Sequence, residues 1–251
     1  MSRLAWYRLG LIFGLVALIE ALCRSGVIKR LTMIAPSEMA VALWDILVSG
    51  SATADIVRTL ACVLAALVLS IVLGFVAGVA IHASPRLRRA LDPFFATYYA
   101  VPFFVFYPVL VALFGLTALP VIFIGFLFAI VAMIINTLNG LDRIPRVLGK
   151  VAQMHRMGRV ETALKLELPA AAPYLFTGVK LAVAYSFIGV IASEFIMAAA
   201  GLGYAIAYAY NNFDNRRMYA LMLFVMIVVT LVNMTLHVWE QRLLLRRRGR
   251  V

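Results

Sequence analysis

Hydrophobic and polar positions in this chain fall into long blocks. Apolar runs occupy roughly residues 9–23, 56–83, 94–113, 121–138, 174–198 and 219–240. At a rise of about 1.5 Å per residue such runs match the ~30 Å hydrocarbon core of a bilayer, and the pattern predicts six transmembrane helices. Between the first two runs, PSEMAVALWDILVSG places Met39, Val41, Leu43, Trp44, Ile46 and Leu47 on a helical period. Pro36 and Ser37 act there as start signals and Gly50 as a stop, so a short helix lying in the membrane interface is expected. SPRLRRALDP (84–93) reads as a short basic loop, 115–120 as a tight turn, and GLGYAIAYAYNNFDNRRM (201–218) as a polar, aromatic loop. Within the second run, Gly74 and Gly78 are spaced to let another helix backbone approach closely, although glycine is also common in membrane helices.

The polar block that stands out runs from Arg143 to Pro169, RIPRVLGKVAQMHRMGRVETALKLELP. It is too polar to enter lipid and too amphipathic for a disordered spacer. Pro145 sits where a helix can begin, and Val147, Leu148, Val151 and Ala152 form an apolar stripe, with Arg146, Lys150, Gln153 and Arg156 facing elsewhere. Gly158 permits a turn, a second helix runs from Glu161 to Glu167, and Pro169 is expected to stop it before the fifth apolar run. Such a helix pair either plugs into a groove on a soluble protein or rests on anionic lipid, and the residues alone leave both open.

Composition sharpens this reading. The chain has 251 residues, 65% hydrophobic and only 14% charged, which excludes an ordinary soluble domain. Six spans with short links use up the length, so soluble functions fall to partners. The formal charge of +12 points to membrane orientation rather than to nucleic acid. With the N-terminus inside, one face receives Arg3, Arg8, Arg86, Arg88, Arg89, the cations of the 143–169 block and the tail arginines. The other face receives only Arg24, Lys29, Arg30, Arg216 and Arg217. This asymmetry puts both termini and the block in the cytoplasm. The N-terminal stretch lacks a small-x-small cleavage site and reads as an uncleaved first span. Cys23 and Cys62 have no metal-ligand spacing.

Catalytic chemistry is missing. There is no G-x-x-x-x-G-K-[ST], no H-E-x-x-H and no G-x-S-x-G, and His82, His155 and His237 read as solvated or interfacial. The third run carries Tyr98, Tyr99, Phe103, Phe104, Phe106 and Tyr107 around Pro102 and Pro108. Prolines inside a span free backbone groups, which is tolerated where a segment lines a cavity or is buried in protein, so these residues are either pathway candidates or ordinary aromatic packing. Glu194, near the outer end of the fifth run, is an ionisable residue within a span. It faces a pathway or pairs with Arg216 or Arg217.

From about Ala35 to the end, the order of PSEMAVALWDILVSG, GFVAG, SPRLRRALDP, VPFFVFYPVLVALFG, IINTLNGL, LELPAAAPYLFTGVKLA and ASEFIMAAAGLGYAI resembles the inner-membrane permease subunit of bacterial ATP-binding-cassette importers, in the branch for nitrate, taurine and aliphatic sulfonates. In that family the cytoplasmic block contains a motif E-A-A-x-x-x-G-x(9)-I-x-L-P whose helix docks on the ATPase. Aligned from Leu168 and Pro169, Leu166 takes the isoleucine place and Ala152 the second alanine. Lys150, Val151 and Arg156 stand where the family has glutamate, alanine and glycine. Gly158, two residues on, is expected to supply the turn instead.

The resemblance implies an all-α membrane protein of the type I importer (MetI-like) permease fold, with six transmembrane helices and both termini cytoplasmic. Residues 1–34 would form the first helix and outer loop, and residues 35–251 the permease domain with coupling segment 143–169. It implies a homodimer in the bacterial inner membrane, two ATPase subunits that bind ATP and Mg, and a periplasmic substrate-binding protein, with no cofactor and no catalytic residue in this chain. Gly201, Gly203 and Tyr204 become candidate contacts for the binding protein, or simply a tight turn. The substrate would be a small solute such as nitrate, a sulfonate, taurine or a heterocycle. An ATP-independent carrier or channel is the alternative, and it predicts inverted repeats that the chain does not display.

Overall fold

Backbone hydrogen bonds must be closed internally wherever water is absent, and the chain meets that demand with helices. A computed structural model describes residues 3–248, and every regular element among them is helical. In chain order these are α1 (Arg3–Arg24), α2 (Pro36–Ser49), α3 (Thr53–Ala83), α4 (Pro85–Thr97), α5 (Tyr107–Phe114), α6 (Leu119–Asp142), α7 (Arg146–Met154), α8 (Arg159–Thr162), α9 (Leu168–Met197), α10 (Leu202–Asn211) and α11 (Asn215–Arg248). Short 3₁₀ turns, Tyr98–Ala100 and Phe103–Phe106, join α4 to α5, and a π-helical turn, Ala163–Glu167, joins α8 to α9.

By length and composition four helices among the described residues can cross a membrane: Thr53–Ala83, Leu119–Asp142, Val160–Met197 and Asn215–Gln241. A fifth is added if Pro85–Ala100 and Phe103–Phe114, bent by 88° at their break, count as one span. The interface helix forms as expected, with Pro36 in its first turn and Gly50 closing it at φ 68°.

Four expectations are corrected. SPRLRRALDP is not a loop, because Ser84 caps α4 by accepting from the Leu87 N–H and Pro85 starts the helix. The third run is not one helix, because Pro102 cannot donate a backbone bond and forces the break. Pro169 does not stop the second helix of the polar block. The helix continues to Met197, and the π turn before Pro169 takes up the mismatch that its missing N–H creates. Most of 201–218 is helical, as α10 and the start of α11.

The chain divides into two compact units, Met1–Arg58 with Glu194–Val228, and Thr59–Ser193 with Val229–Val251. In the first, Ala52, Leu202, Ala205, Ile206, Ala209, Met218 and Leu221 form a core, and Arg216 pairs with Asp45 at 2.8 Å. In the second, α3 and α6 meet at the predicted small positions. A Cβ on Gly74 would sit 2.8 Å from Met133 Cβ, and one on Gly78 would sit 2.6 Å from Thr137 Cβ. A Cβ on Gly189 would lie 2.8 Å from Gly125 Cα, so α9 approaches α6 in the same way.

Candidate functional site

The polar block is framed by charged fastenings. Asp142, the last residue of α6, accepts a two-pronged hydrogen bond from the Arg88 guanidinium at 2.5 and 2.6 Å, with His82 Nε2 at 3.3 Å. One residue later, Arg143 donates to the Tyr174 hydroxyl at 3.0 Å and lies over that ring, 5.2 Å from its centre. The ends of α3 and α4 are thereby tied to the end of α6, and the end of α6 to the start of α9. Deeper in the same unit, Lys180 of α9 donates to Glu240 of α11 at 2.6 Å, with His237 Nδ1 3.6 Å away. Sequence reading passed over Lys180. The signal was there, since a cation inside a span needs a partner.

Pro145 is the N-cap of α7, so the helix begins where the sequence predicts, and α7 packs against the π turn 163–167. Ala152 is buried and Leu148 and Val151 are half-buried, whereas Val147, placed on the inner stripe from its spacing, is exposed. Gly149 and Lys150 are exposed as well. Leu166 and Leu168 are half-buried and Pro169 is exposed.

The end of α7 corrects the expectation for Gly158. Arg156 N–H donates to Gln153 O at 3.1 Å and Met157 N–H to Ala152 O at 2.9 Å, the paired bonds of a Schellman motif. Arg156 itself takes the left-handed conformation, φ 51°. The turn is therefore made where the family motif has its glycine, by an arginine, at a cost of about 1 kcal/mol. Gly158 is exposed and its φ is not positive.

The aromatic candidates separate. Tyr98, Phe103 and Tyr107 are buried, and the Tyr98 hydroxyl donates to Leu127 O at 2.7 Å, which fastens the break onto α6. Phe103 and Phe104 pack on Phe128. Tyr99, Pro102 and Phe106 are exposed, and Tyr99 stacks on Tyr185 of α9 at 4.9 Å. Nothing in the local spacing links Tyr185 to the third run, which is why sequence reading did not find it.

Glu194 is 1% exposed and accepts from the Gly203 N–H at 3.0 Å, in the first turn of α10. Asp55, at the start of α3, accepts from the Gly201 N–H at 3.0 Å. Two carboxylates thus meet the positive end of α10. Gly201 and Gly203 are buried and Tyr204 is half-buried, while Tyr208 and Tyr210 of this helix and Phe213 just beyond its end are exposed. Among the described residues no group of three or more His, Cys, Asp or Glu is arranged to hold a metal ion.

A family described as "Binding-protein-dependent transport system inner membrane component" matches residues 70–249. The chain is similar to the nitrate import permease protein NrtB of Leptolyngbya laminosa, 31% identical over 207 residues, which are 79% of this chain and 74% of that one. It is similar to the bicarbonate transport system permease protein CmpB of Synechococcus elongatus, 31% identical over 142 residues, 56% of this chain and about half (51%) of that one. The taurine transport system permease protein TauC of Escherichia coli is 26% identical over 216 residues, 86% of this chain and 75% of that one. Among solved structures, a chain of the MetNI methionine ABC transporter in an inward-facing conformation shares the fold. The TM-score is 0.64 at 19% identity, covering 76% of this chain and 95% of that one.

Proposed function

This chain belongs to the family of binding-protein-dependent transport system inner membrane components and is a multi-pass inner-membrane permease of that class; from this premise we propose that it forms the substrate pathway of an ATP-driven importer and is coupled to a separate ATPase through residues 143–169. The observation that carries the reading is the presentation of α7. A short basic helix stands between two membrane-spanning helices, fixed at its root by Asp142–Arg88 and Arg143–Tyr174, with Arg146, Val147, Lys150 and Met154 exposed on its outward side.

In this reading the chain has six spans with both termini cytoplasmic, counting α1 and the bent pair with the four helices above. Two copies enclose the pathway, and two ATPase subunits receive the two copies of α7. A periplasmic binding protein delivers a small solute to the opposite face, where Tyr204 and its neighbours are the contact candidates. ATP and Mg belong to the ATPase, and this chain supplies no catalytic group. Closure of the ATPases on ATP draws the docked helices together and opens the cavity outward, and hydrolysis resets it. The solute is a small anion, a sulfonate, taurine or a heterocycle, in keeping with relatives named for nitrate, bicarbonate, taurine and riboflavin. Tyr99, Pro102 and Phe106, exposed at the break, and Tyr185, which stacks on Tyr99, are the candidate wall residues, in preference to the buried Tyr98, Phe103 and Tyr107.

Affinity purification of the tagged chain from its native host after gentle extraction tests this. An ATPase and a periplasmic binding protein at stoichiometric levels support the importer. A homo-oligomer that moves solute without ATP overturns it in favour of a carrier or channel.

A further inference from the structure

The outward side of α7 is cationic, and among the described residues no acid pairs with Arg146, Lys150 or Arg156. From Arg143 to Val160 there is no acidic residue, and the first acid, Glu161, is engaged by Lys165 at 2.7 Å. Arg143 is occupied by Tyr174. Arg146, Lys150 and Arg156 remain exposed. Arg146, Lys150 and Gln153 lie along one strip at helical spacing, and beside it Val147 and Met154, one heptad apart, are 59% and 84% exposed. The inner stripe of Leu148, Val151 and Ala152 is turned inward where α7 packs against the π turn, so it is not free to sink into the acyl boundary as the apolar face of a membrane-lying helix does. What faces outward is a basic strip around one large flexible side chain, held at its end by a strained arginine.

Resting on the permease reading above, we propose that this surface docks an ATPase subunit whose receiving groove is acidic, with carboxylates opposite Lys150 and Arg156 and an apolar pocket for Met154. At position 150 the charge is reversed relative to the family motif, and at position 156 a charge is added. A groove matched to the motif glutamate would meet like charge here, so the pairing is selective as well as attractive. Arg156 is exposed and held in the left-handed region at the end of α7, a strain that a glycine would relieve and that the docking contact accounts for.

The test uses the full chain in lipid nanodiscs and the ATPase that co-purifies with it. Wild-type affinity is expected to fall steeply with salt. Lys150→Glu combined with Arg156→Gly is expected to weaken binding by about tenfold or more and to flatten the salt dependence. Arg156→Gly alone relieves the backbone, so weaker binding by a variant of equal or higher melting temperature reports lost contact, not unfolding. Changing a groove carboxylate of the ATPase to lysine is expected to restore binding to Lys150→Glu. Unchanged affinity and salt slope in the double variant overturn the proposal. So does a variant that keeps its ATPase affinity but loses association with vesicles containing anionic lipid, which would make α7 a lipid-binding surface. Wild-type protein that retains no ATPase at all overturns the permease reading, and the proposal with it.

Discussion

Gly203 gives its backbone N–H to the Glu194 carboxylate at 3.0 Å, and Gly201, two residues earlier, lies against the same carboxylate so closely that a Cβ there would overlap both oxygens. Gly201 also sits at φ 111°, a conformation that L-residues rarely adopt. The GLGY turn is thus shaped around a buried acid. Gly201→Ala is expected to destabilise the protein by about 2 kcal/mol or more, through strain and overlap together. Thermal unfolding of the detergent-solubilised protein reads this, and an unchanged melting temperature would contradict the role given to Glu194. Glu194→Gln keeps the shape and an acceptor oxygen but loses the charge at the α10 N-terminus, and should cost about 1 kcal/mol. If it leaves stability, assembly and transport intact, the carboxylate does no more than fill space.

The contact of α3 with α6 depends on the absence of a side chain at Gly78. Gly78→Leu must push Thr137 and the α6 backbone away, which is expected to cost at least 1–3 kcal/mol and to abolish the monodisperse peak in size exclusion. Gly10→Leu, with nothing within 4 Å of the added Cβ, serves as the control and should elute unchanged.

Phe213 closes α10 as Arg156 closes α7. Its N–H bonds Tyr210 O, Asp214 N–H bonds Ala209 O, and its φ is 57° with 82% of the residue exposed. Phe213→Gly should therefore stabilise the fold by up to about 1 kcal/mol, since the left-handed position is relieved and little packing is lost. A lower melting temperature would mean that the ring packs on something, lipid or partner, that stabilises the folded protein.

Asp142→Asn removes the carboxylate that holds Arg88 and faces His82. The pair is about one-third exposed on each side, 30% and 35%, so the global cost is held to about 1 kcal/mol. The local effect is larger. Limited proteolysis within 143–169 is expected to speed up several-fold as the root of the segment loosens, while digestion elsewhere is unchanged. Equal cleavage rates would show that Arg143–Tyr174 suffices.

Much of this was legible from residues alone. Apolar runs about 20 residues long close their backbone hydrogen bonds in lipid as helices, and so the membrane class, the presence of α3 and α6 and the limits of α2 followed from hydropathy and from Pro36 and Gly50, while α3 starts three residues earlier and α6 ends four residues later than the apolar runs. Gly74 and Gly78 announced a close helix contact by their spacing, and the basic block declared itself by contrast with its surroundings.

The remainder rested on pairings between residues far apart in the chain. Tyr99 stacks on Tyr185, Lys180 meets Glu240 and Asp55 meets Gly201, and no local pattern encodes such partners. The same limit explains the corrections. Glycine at 158 and proline at 169 are strong local signals for a turn and a stop, yet a Schellman closure at Arg156 and a π turn at 163–167 satisfy the backbone differently once α7 packs against that turn. Local chemistry decides that the long apolar segments are helical, whereas 84–93 and most of 201–218, polar enough to read as loops, are helical too. Where a helix bends, ends or takes a strained residue is decided by which hydrogen bonds and contacts the folded chain can close.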